Sequence, residues 1–360
     1  MSDLLPPEGG DDLVSIGEPG AGPEIGVYGA PRPAVPQRVP LAPRTKGCAS
    51  GAGAAAIADP ATFKRLPEWL KIKLPGDGEY AETKALLREK KLVTVCEEAR
   101  CPNLGHCWAR GTATIMILGE LCTRRCGFCA VAPGRPNGYV DWDEPRRVGE
   151  AVAAMNLRHT VITSVARDDL KDGGSTVFAM VIEEIRKRSG TVVEVLIPDF
   201  RGSAADLQRV IDARPEVVNH NLETIERLHG DVRPSARYDR SLELLQRVAA
   251  SGTGIKAKSG LMVGLGETED EMRRAMEDLR AHDCHLLTIG QYLRPSKMHL
   301  AVHEYVHPDQ FARYQQMAEA MGFENVASGP LVRSSYHADL LAGTVKPGEA
   351  SKAGSGGGVR

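Results

Sequence analysis

The chain has 360 residues, of which 42% are hydrophobic and 26% charged, and its formal net charge is −2. These values are ordinary for a globular protein and give no strong field that would attract nucleic acid or an anionic membrane. No apolar run reaches the roughly 20 residues of a membrane-spanning helix, and the N-terminus lacks the basic and apolar regions of a secretory signal. We therefore expect a cytoplasmic protein that binds neither nucleic acid nor membrane.

Six of the eight cysteines fall in two sets of three. The first set has the spacing C-x4-C-x5-C and the second C-x3-C-x2-C; they are Cys96, Cys101 and Cys107, and Cys122, Cys126 and Cys129. Clustered thiols in a long chain without a secretory signal favour bound metal over disulfides. Structural zinc and cubane iron–sulfur clusters normally use four protein ligands, so each set of three leaves one metal position for another ligand.

The ends of the chain differ in composition from its middle. Residues 1–58 are dense in Pro, Gly and Ala and lack a sustained apolar period, which predicts a disordered arm. Residues 59–110 are a charged N-terminal extension that carries the first cysteine set. Residues 326–342 are expected to form a C-terminal segment, and residues 343–360, rich in Gly, Ser and Lys, a flexible tail.

Between these ends, strand patterns alternate with helix patterns. Helices are predicted at residues 83–91, 143–156, 178–185, 207–211, 242–248 and 309–321, and after a capping box formed by Thr268 and Glu271. Strands are predicted at residues 112–118, 159–165, 191–197, 216–220, 255–265 and 285–292. The alternation predicts parallel β/α units with right-handed crossovers.

Barrel enzymes place their chemistry on loops at the C-terminal ends of the strands. Five such loops in this chain are polar or glycine-rich: residues 122–129, 167–175, 219–223, 264–268 and 294–298. We therefore expect the functional residues to lie on these loops.

A C-x3-C-x2-C loop after the first strand of a β/α barrel resembles the signature of the radical S-adenosylmethionine (SAM) superfamily. The resemblance implies the α/β class and a partial (β/α)6 TIM-like barrel over residues 111–325 with extensions at both ends. It also implies that Cys122, Cys126 and Cys129 hold a 4Fe–4S cluster whose open iron binds SAM and cleaves it to a 5′-deoxyadenosyl radical. A zinc knuckle is the alternative explanation of the spacing.

Two glycine motifs are similar to SAM-binding features of that superfamily. Gly173 and Gly174 follow the second predicted strand, where the superfamily has a Gly-Gly turn whose backbone holds the SAM amino group. A generic glycine turn is the alternative. Gly264 lies in residues 260–267, which resemble the superfamily pattern G-x-I-x-G-x-x-E with Met262 in place of Ile.

Polar residues at other strand ends are further candidates. Asn221 and Glu223 end the fourth predicted strand and are candidates for contacting the SAM ribose, although any strand end can carry such residues. Arg124, Arg125 and Arg294 are candidates for steering an acidic partner or holding the substrate, and Arg294 is also a candidate for binding the cofactor. Solvated surface charge is the alternative for Arg124 and Arg125.

The first cysteine set narrows the resemblance to the lipoyl synthase family. Residues 163–170 (T-S-V-A-R-D-D-L), 291–296 (Q-Y-L-R-P-S) and 333–336 (R-S-S-Y) are also similar to that family, and the resemblance covers about residues 64–340. Ala166 stands where the family usually has Asp, which puts a SAM or substrate contact by that side chain in doubt. Gly127 stands where many members have Pro.

The family resemblance implies a second, auxiliary 4Fe–4S cluster on Cys96, Cys101, Cys107 and Ser335. The implied reaction inserts sulfur at C6 and C8 of an octanoyl chain that is amide-linked to a lysine of a lipoyl carrier domain, and consumes the auxiliary cluster as the sulfur donor. The implied carriers are the 2-oxoacid dehydrogenase E2 component and the glycine cleavage H protein. A flavodoxin or ferredoxin as electron donor and a cluster-repair protein are further implied partners.

Two other functions fit parts of the pattern. A tRNA methylthiotransferase also inserts sulfur by radical chemistry, but it should carry a basic RNA-binding module, and the chain has a net charge of −2 and no basic runs. A zinc-stabilised binding module would have four-ligand sets and would be colourless, whereas an iron–sulfur protein prepared without air would be brown.

Overall fold

The computed structural model describes residues 65–71, 78–98, 101–104, 107, 114–335 and 338–342. The predictions of a disordered arm and of a flexible tail fall outside these residues, as does Cys48. Within the described part, none of the helices has the length and hydropathy to span a bilayer.

One sheet of eight strands, arranged in sequential order, forms the centre of the fold. The first strand pairs antiparallel with the second, and all later neighbours are parallel. The strands are β1 (Val93–Thr94), β2 (Thr114–Ile117), β3 (His159–Ser164), β4 (Val192–Leu196), β5 (Val217–Asn219), β6 (Lys256–Val263), β7 (Leu286–Gln291) and β8 (Asn325–Gly329). In the described residues β1 and β8 do not pair with each other, so the sheet is an open, partial barrel, as predicted.

The helices are α1 (Gly78–Glu89), α2 (Val95–Glu98), α3 (Glu144–Ala154), α4 (Ser175–Arg188), α5 (Ala204–Asp212), α6 (Glu226–Val232), α7 (Tyr238–Ala249), α8 (Glu269–Ala281), α9 (Pro308–Ala320) and α10 (Ala338–Leu341). Helices α3 to α9 lie between the parallel strands, α1 and α2 lie before β2, and α10 follows β8. The six predicted strands and the predicted helices are confirmed, whereas β1, β8, α2, α6 and α10 were not predicted. The sheet continues through β8, beyond residue 325, where the predicted barrel ended.

Residues at the N-terminal ends of α3, α5 and α8 explain where these helices begin. Pro145 lies in the first turn of α3, where a missing N–H costs nothing. The Ser203 hydroxyl accepts the Asp206 N–H at the start of α5. Thr268 and Glu271 form the predicted capping box of α8. These caps fix where each helix begins, and therefore the length of the loop that precedes it.

Polar side chains from three adjacent strands meet inside the fold. Lys258 on β6 donates to both carboxylate oxygens of Glu194 on β4, at 2.7 and 3.0 Å. Asn219 on β5, between them, donates to Glu194 at 3.2 Å. Burial disfavours the charged form of Glu194, but Lys258 and His159 together outweigh it, and the pKa of Glu194 is lowered. Lys258 or Glu194 alone would be an unpaired buried charge, which is strongly destabilising. The ion pair therefore favours the strand register that brings these two side chains together.

The C-terminal segment lies close against β7. A side chain at Gly290 would collide with the Val332 carbonyl oxygen, so glycine is required for this approach. Leu341 packs against Val217 and Leu286, at the starts of β5 and β7. The segment therefore runs from near the C-terminal end of β7 towards the N-terminal end of the sheet.

We expect Gly290→Ala to lower the free energy of unfolding by about 1–3 kcal/mol, because the methyl group forces the Val332 backbone away from β7. Denaturant unfolding of the cluster-free protein measures the loss, and limited proteolysis after residue 330 measures release of the segment. Gly190→Ala is the matched control, since no heavy atom lies within 4 Å of the added carbon. Equal stability of the two variants would contradict the close approach.

Candidate functional site

The loop of residues 122–129 follows β2 and is hydrogen-bonded to the loop that follows β3. Thr123 donates its N–H and its hydroxyl to the Ala166 carbonyl, at 3.0 and 2.9 Å. The same hydroxyl oxygen accepts the Asp168 N–H at 3.0 Å. The Ala166 backbone thus positions the cysteine loop, and these hydrogen bonds do not depend on the side chain of residue 166.

Arg124, between the first two cysteines of this loop, is 7% exposed and binds two carboxylates. It donates to both oxygens of Asp168 at 2.8 Å and to Asp199, in the loop after β4, at 2.5 Å. Asp199 is completely buried and also accepts from Arg240 at 3.1 Å. Burial opposes the charged form of Asp199, but Arg124 outweighs it and lowers the pKa of Asp199 to about 2. The interpretation of Arg124 as a steering or solvated charge is wrong, whereas Arg125 is exposed.

The other side of the cysteine loop is bonded to the loops that follow α6 and β7. Gly127 donates its N–H to the Val232 carbonyl at 2.9 Å and accepts the Leu300 N–H at 3.0 Å. A proline at this position would lose the first of these bonds. The His299 ring nitrogen Nε2 lies 3.0 Å from the Cys129 carbonyl oxygen. The loop is therefore held on both sides by protein contacts alone.

The three thiols of the second set are free, half-buried and close enough for their charges to interact. Burial raises the pKa of Cys122, that of Cys126 to about 11 and that of Cys129 to about 12. The negative charges of the neighbouring thiolates raise the last two further. At neutral pH all three are thiols in the cluster-free protein, and a metal that binds them must displace their protons.

Two of the predicted polar residues lie beside these thiols. Glu223, after β5, is close enough that its charge raises the pKa of Cys126 and Cys129, while Arg233 lowers that of Cys126. Burial raises the pKa of Glu223 itself. Asn221 donates to Glu223 at 3.1 Å, and its own Oδ1 atom is buried and has no hydrogen-bond partner among the described residues. An unpaired buried oxygen next to the thiols can accept a hydrogen bond from a bound ligand.

The glycines predicted to contact SAM also have local structural roles. Gly173 and Gly174 have left-handed backbones, with φ of 59° and 91°. A side chain on Gly174 would collide with Leu118, and one on Gly173 would lie 3.0 Å from the Phe200 ring. The turn therefore requires glycine whether or not it binds a ligand, and a contact to SAM stays a prediction.

Gly264 and Arg294 likewise make local contacts. Gly264 has a φ of 96° and donates its N–H to Glu267 at 2.5 Å, which explains the spacing of that motif. Arg294 donates to the carbonyl oxygens of His299 and Lys297, at 3.0 and 2.6 Å, and so shapes the loop that contacts Cys129. Their predicted roles in cofactor binding stay predictions.

The first cysteine set lies near the C-terminal segment that follows β8. The Cys101 N–H donates to the Cys96 carbonyl at 2.9 Å, and the Cys107 N–H donates to the Asn103 carbonyl, also at 2.9 Å. Asn103 donates to the Leu331 carbonyl at 2.7 Å. Burial raises the pKa of Cys101, and the nearby charge of Arg333 opposes this.

The chemistry of both sets fits iron–sulfur clusters. All six cysteines are free thiols, and the described residues contain no group of three His, Cys, Asp or Glu side chains placed to hold a single metal ion. A cubane cluster binds each cysteine at a separate iron, so its thiols need not converge on one point. Soft, half-buried thiolates in sets of three therefore fit 4Fe–4S clusters better than a zinc knuckle.

The sequence did not single out three residues of this site, Glu144, Asp199 and Arg233, and it did not predict that Arg124 is buried. Asp199 follows the one predicted strand whose C-terminal loop was not singled out. Glu144 could not be recognised, because its role depends on a contact across 26 positions of the chain. Arg124 and Arg125 look alike in sequence, and only the fold shows which one is buried.

We expect Arg124→Met to lower the free energy of unfolding by about 3–5 kcal/mol, because it leaves Asp199 buried without its main partner. Thermal unfolding of the cluster-free protein measures this effect, and the iron content after anaerobic reconstitution measures the effect on the loop. Arg125→Met, at the exposed neighbour, is the control and should stay within about 0.5 kcal/mol. Equal effects of the two substitutions would show that the ion pairs do not hold the loop.

The raised pKa of the Glu144 carboxyl makes the stability of the protein depend on pH. It accepts the Leu118 N–H at 2.8 Å at the turn that leads into the cysteine loop, and burial raises its pKa from 4.5 to about 7. The folded protein binds this proton more tightly than the unfolded chain, so the stabilisation is complete below about pH 4.5 and is lost as the pH rises through 7.

Between pH 5 and pH 8 we expect the free energy of unfolding of wild type to fall by up to about 3 kcal/mol more than that of Glu144→Gln. The reason is that each unit of pKa shift corresponds to about 1.4 kcal/mol. Unfolding of both cluster-free proteins across this range measures the difference. Parallel pH profiles would contradict the raised pKa.

Two family models match the chain. The radical SAM superfamily model matches residues 116–279, which include the second cysteine set. The model for the N-terminal domain of lipoyl synthase of the radical SAM family matches residues 56–101, which include Cys96 and Cys101. Among solved structures, the chain is similar to methylornithine synthase (PylB), with a TM-score of 0.40 and 13% sequence identity. The match covers 62% of this chain and 66% of that chain.

Curated lipoyl synthases align over most of the described chain. The protein of Caldanaerobacter subterraneus subsp. tengcongensis is 54% identical over 276 residues, which cover 77% of this chain and 96% of that one. The protein of Syntrophotalea carbinolica is 55% identical and that of Rubrobacter xylanophilus 56%, covering 77% and 76% of this chain and 90% and 85% of theirs. At this identity over nearly the full length of its relatives, the chain belongs to the lipoyl synthase family of the radical SAM superfamily.

Proposed function

We propose that this enzyme inserts two sulfur atoms, at C6 and C8 of an octanoyl chain carried on a lysine of a lipoyl carrier domain. The single observation that supports this most is that one parallel sheet brings two separate sets of three free thiols to its C-terminal edge and C-terminal segment. As a radical SAM enzyme of the lipoyl synthase family, the chain uses SAM and two 4Fe–4S clusters. One set of thiols would serve to generate the radical, and the other to provide sulfur.

Cys122, Cys126 and Cys129 would hold the cluster that binds SAM. With SAM bound, this cluster supplies a 5′-deoxyadenosyl radical, which can remove hydrogen from an unactivated C–H bond where acid–base chemistry cannot. The contribution of the protein is to hold the loop in place through Thr123 and Arg124 before the cofactor arrives. Burial of the thiols keeps water away from the reacting groups.

The residues proposed to contact SAM surround this loop. Glu223 lies near the loop, because its charge acts on Cys126 and Cys129. Asn221 is bonded to Glu223, and its unpaired Oδ1 can accept a hydrogen bond from SAM. The other proposed contacts lie on the loops after β3, β6 and β7: Gly173, Gly174, Gly264 and Arg294. Each of these also makes the local contacts described above, so substitution should affect both folding and cofactor binding.

Cys96, Cys101, Cys107 and Ser335 would hold the auxiliary cluster. The support for Ser335 is that the segment carrying it is bonded to the first cysteine loop: Asn103 donates to the Leu331 carbonyl, and Arg333 lies close to Cys101. A serine hydroxyl binds iron less strongly than a thiolate does. This weaker ligand suits a cluster that is dismantled to provide sulfur.

An octanoylated carrier protein is the substrate that membership of this family implies. We propose the 2-oxoacid dehydrogenase E2 component and the glycine cleavage H protein as carriers, a flavodoxin or ferredoxin as reductant, and a cluster-repair protein as the source of new sulfide. We further propose a cytoplasmic location. The proposed domain division keeps an N-terminal extension at residues 59–110, a barrel, and a C-terminal segment that bears Ser335.

Substitutions in the two cysteine sets should affect different products of the reaction. We expect Cys126→Ala to abolish 5′-deoxyadenosine release, and Cys101→Ala to retain SAM cleavage while inserting no sulfur. Anaerobic incubation with SAM, dithionite and an octanoyl-lysyl peptide, read by mass spectrometry, measures both products. Cys284→Ala is the control, since this buried thiol belongs to neither set.

Lipoyl product from Cys101→Ala at the wild-type level would overturn the assignment of the first set as sulfur donor. Unchanged nucleoside release by Cys126→Ala would overturn that of the second set as the radical-generating site. Loss of both products in Cys284→Ala would show that the assay reports folding and not the role of each set.

A further inference from the structure

A groove of about 560 Å³ lies beside the cysteine loop, at the C-terminal ends of β3 and β4. Its lining comes from residues 168–173 after β3, residues 200–203 after β4, and Asp206 in the first turn of α5. None of the groove residues belongs to the N-terminal extension or to the C-terminal segment. A partner bound here would therefore reach the second cysteine set and not the first.

The groove exposes two cations that no carboxylate among the described residues neutralises. Its three carboxylates are each paired with an arginine: Asp168 with Arg124, Asp169 with Arg167, and Asp206 with Arg209. Lys171 and Arg201 are exposed, and neither has an ion-pair partner among the described residues. Two unpaired cations on one rim favour a partner whose surface is acidic.

The backbone that presents Arg201 is strained. Phe200 and Arg201 have φ of 43° and 55°, and Gly202 has a φ of 85°, so three consecutive residues are left-handed. Asp199 stabilises this turn by accepting the Arg201 N–H at 3.1 Å. Non-glycine residues in this conformation cost about 1–3 kcal/mol each and persist mainly where surrounding contacts impose them, often at functional sites.

A loop with two exposed aromatic rings is bonded to the groove wall. Tyr139 and Trp142 are 58% and 59% exposed, on a loop whose Gly138 N–H donates to Asp169 in the groove wall at 2.8 Å. Aromatic residues and arginine together are the composition typical of protein interfaces. The rim thus combines charge and apolar area suited to a protein partner.

A short bonded route joins the groove to the second cysteine set. Asp168 in the groove wall binds the Arg124 guanidinium at 2.8 Å, and the Arg124 N–H lies 3.4 Å from the Cys122 sulfur. The octanoyl substrate must be presented to both cysteine sets, because one set forms the radical and the other gives sulfur. A partner that serves only the second set needs to exchange no more than an electron.

We propose that this groove, with Lys171 and Arg201 on its rim, is the docking site of an acidic one-electron carrier protein. The inference rests on the proposed function, because only a radical SAM site needs this electron. The carrier protein is oxidised by one electron, the cluster held by the Cys122 set is reduced by one electron, and no bond is made or broken in the transfer. The two cations steer the carrier into the groove, and the exposed rings of Tyr139 and Trp142 pack against it.

The test compares Lys171→Glu/Arg201→Glu with wild type, using photoreduced flavodoxin as the acidic carrier. We expect the second-order rate constant of cluster reduction, followed by visible absorbance, to fall roughly tenfold or more at low ionic strength. The affinity of oxidised flavodoxin for the cluster-free protein should fall by a similar factor, and both differences should shrink as salt is added. Lys171→Gln/Arg201→Gln should give an intermediate loss if charge is the cause.

Arg158→Glu/Arg214→Glu is the matched control. Both residues are exposed and lie before β3 and β5, at the opposite end of the sheet, and Arg214 has a φ of 56°, like Arg201. This variant has the same net charge as the test variant and should reduce at the wild-type rate. Dithionite, which needs no docking site, should reduce all four proteins equally.

An unchanged rate and affinity in the Lys171/Arg201 variants would overturn the proposal. The proposal would also be overturned if these variants bound an octanoylated carrier domain more weakly but were reduced by flavodoxin at the wild-type rate. That result would assign the groove to the substrate. If the proposed function were wrong, wild type supplied with dithionite would form no lipoyl product. The measurement of flavodoxin binding does not depend on that product, so the two failures can be told apart.

Discussion

The ion pairs of Arg124 with Asp168 and Asp199 join the cysteine loop to the two neighbouring loops of the sheet. Asp199 is completely buried, so its charge is tolerated only while Arg124 and Arg240 are in place. On the opposite side, Gly127 bonds to the Val232 and Leu300 backbones. The loop that presents three thiols is thus held from both sides by contacts that need no metal, which is how a protein prepares a site before the cofactor binds.

The parallel sheet explains why the two cysteine sets do not compete for one site. All strands from β2 to β8 run in the same direction, so their C-terminal ends meet at one edge. The second set lies after β2, near the loops of β3 and β5, while the first set is bonded to the segment after β8. Gly290 lets that segment approach β7 closely.

Much of this fold could be predicted from sequence, because the six central strands are apolar and bounded by clear turn and cap residues. The strand β8 was missed because Asn325–Gly329 contains a single β-branched residue, Val326, and its pairing depends on β7. The cysteine spacings identified the thiol sets without any structure. Burial could not be predicted in this way, and adjacent Arg124 and Arg125 have opposite environments that only the tertiary structure sets.

Local geometry also changes what a motif implies. Gly173, Gly174 and Gly264 match superfamily motifs, and the structure shows that each is needed for close packing or a left-handed turn. A motif residue can therefore serve the fold and the cofactor together. The side chains that act on the thiols most directly, Glu223 and Arg233, come from positions that no short motif joins.

We propose that each set of three thiols holds its own 4Fe–4S cluster. The most direct measurement is the iron and sulfide content, with Mössbauer spectra, of the anaerobically reconstituted wild type and of two triple Cys→Ala variants, one for each set. We predict about eight irons in wild type and about four in each variant. A single zinc ion per set, or the loss of all iron when either set alone is removed, would contradict the claim.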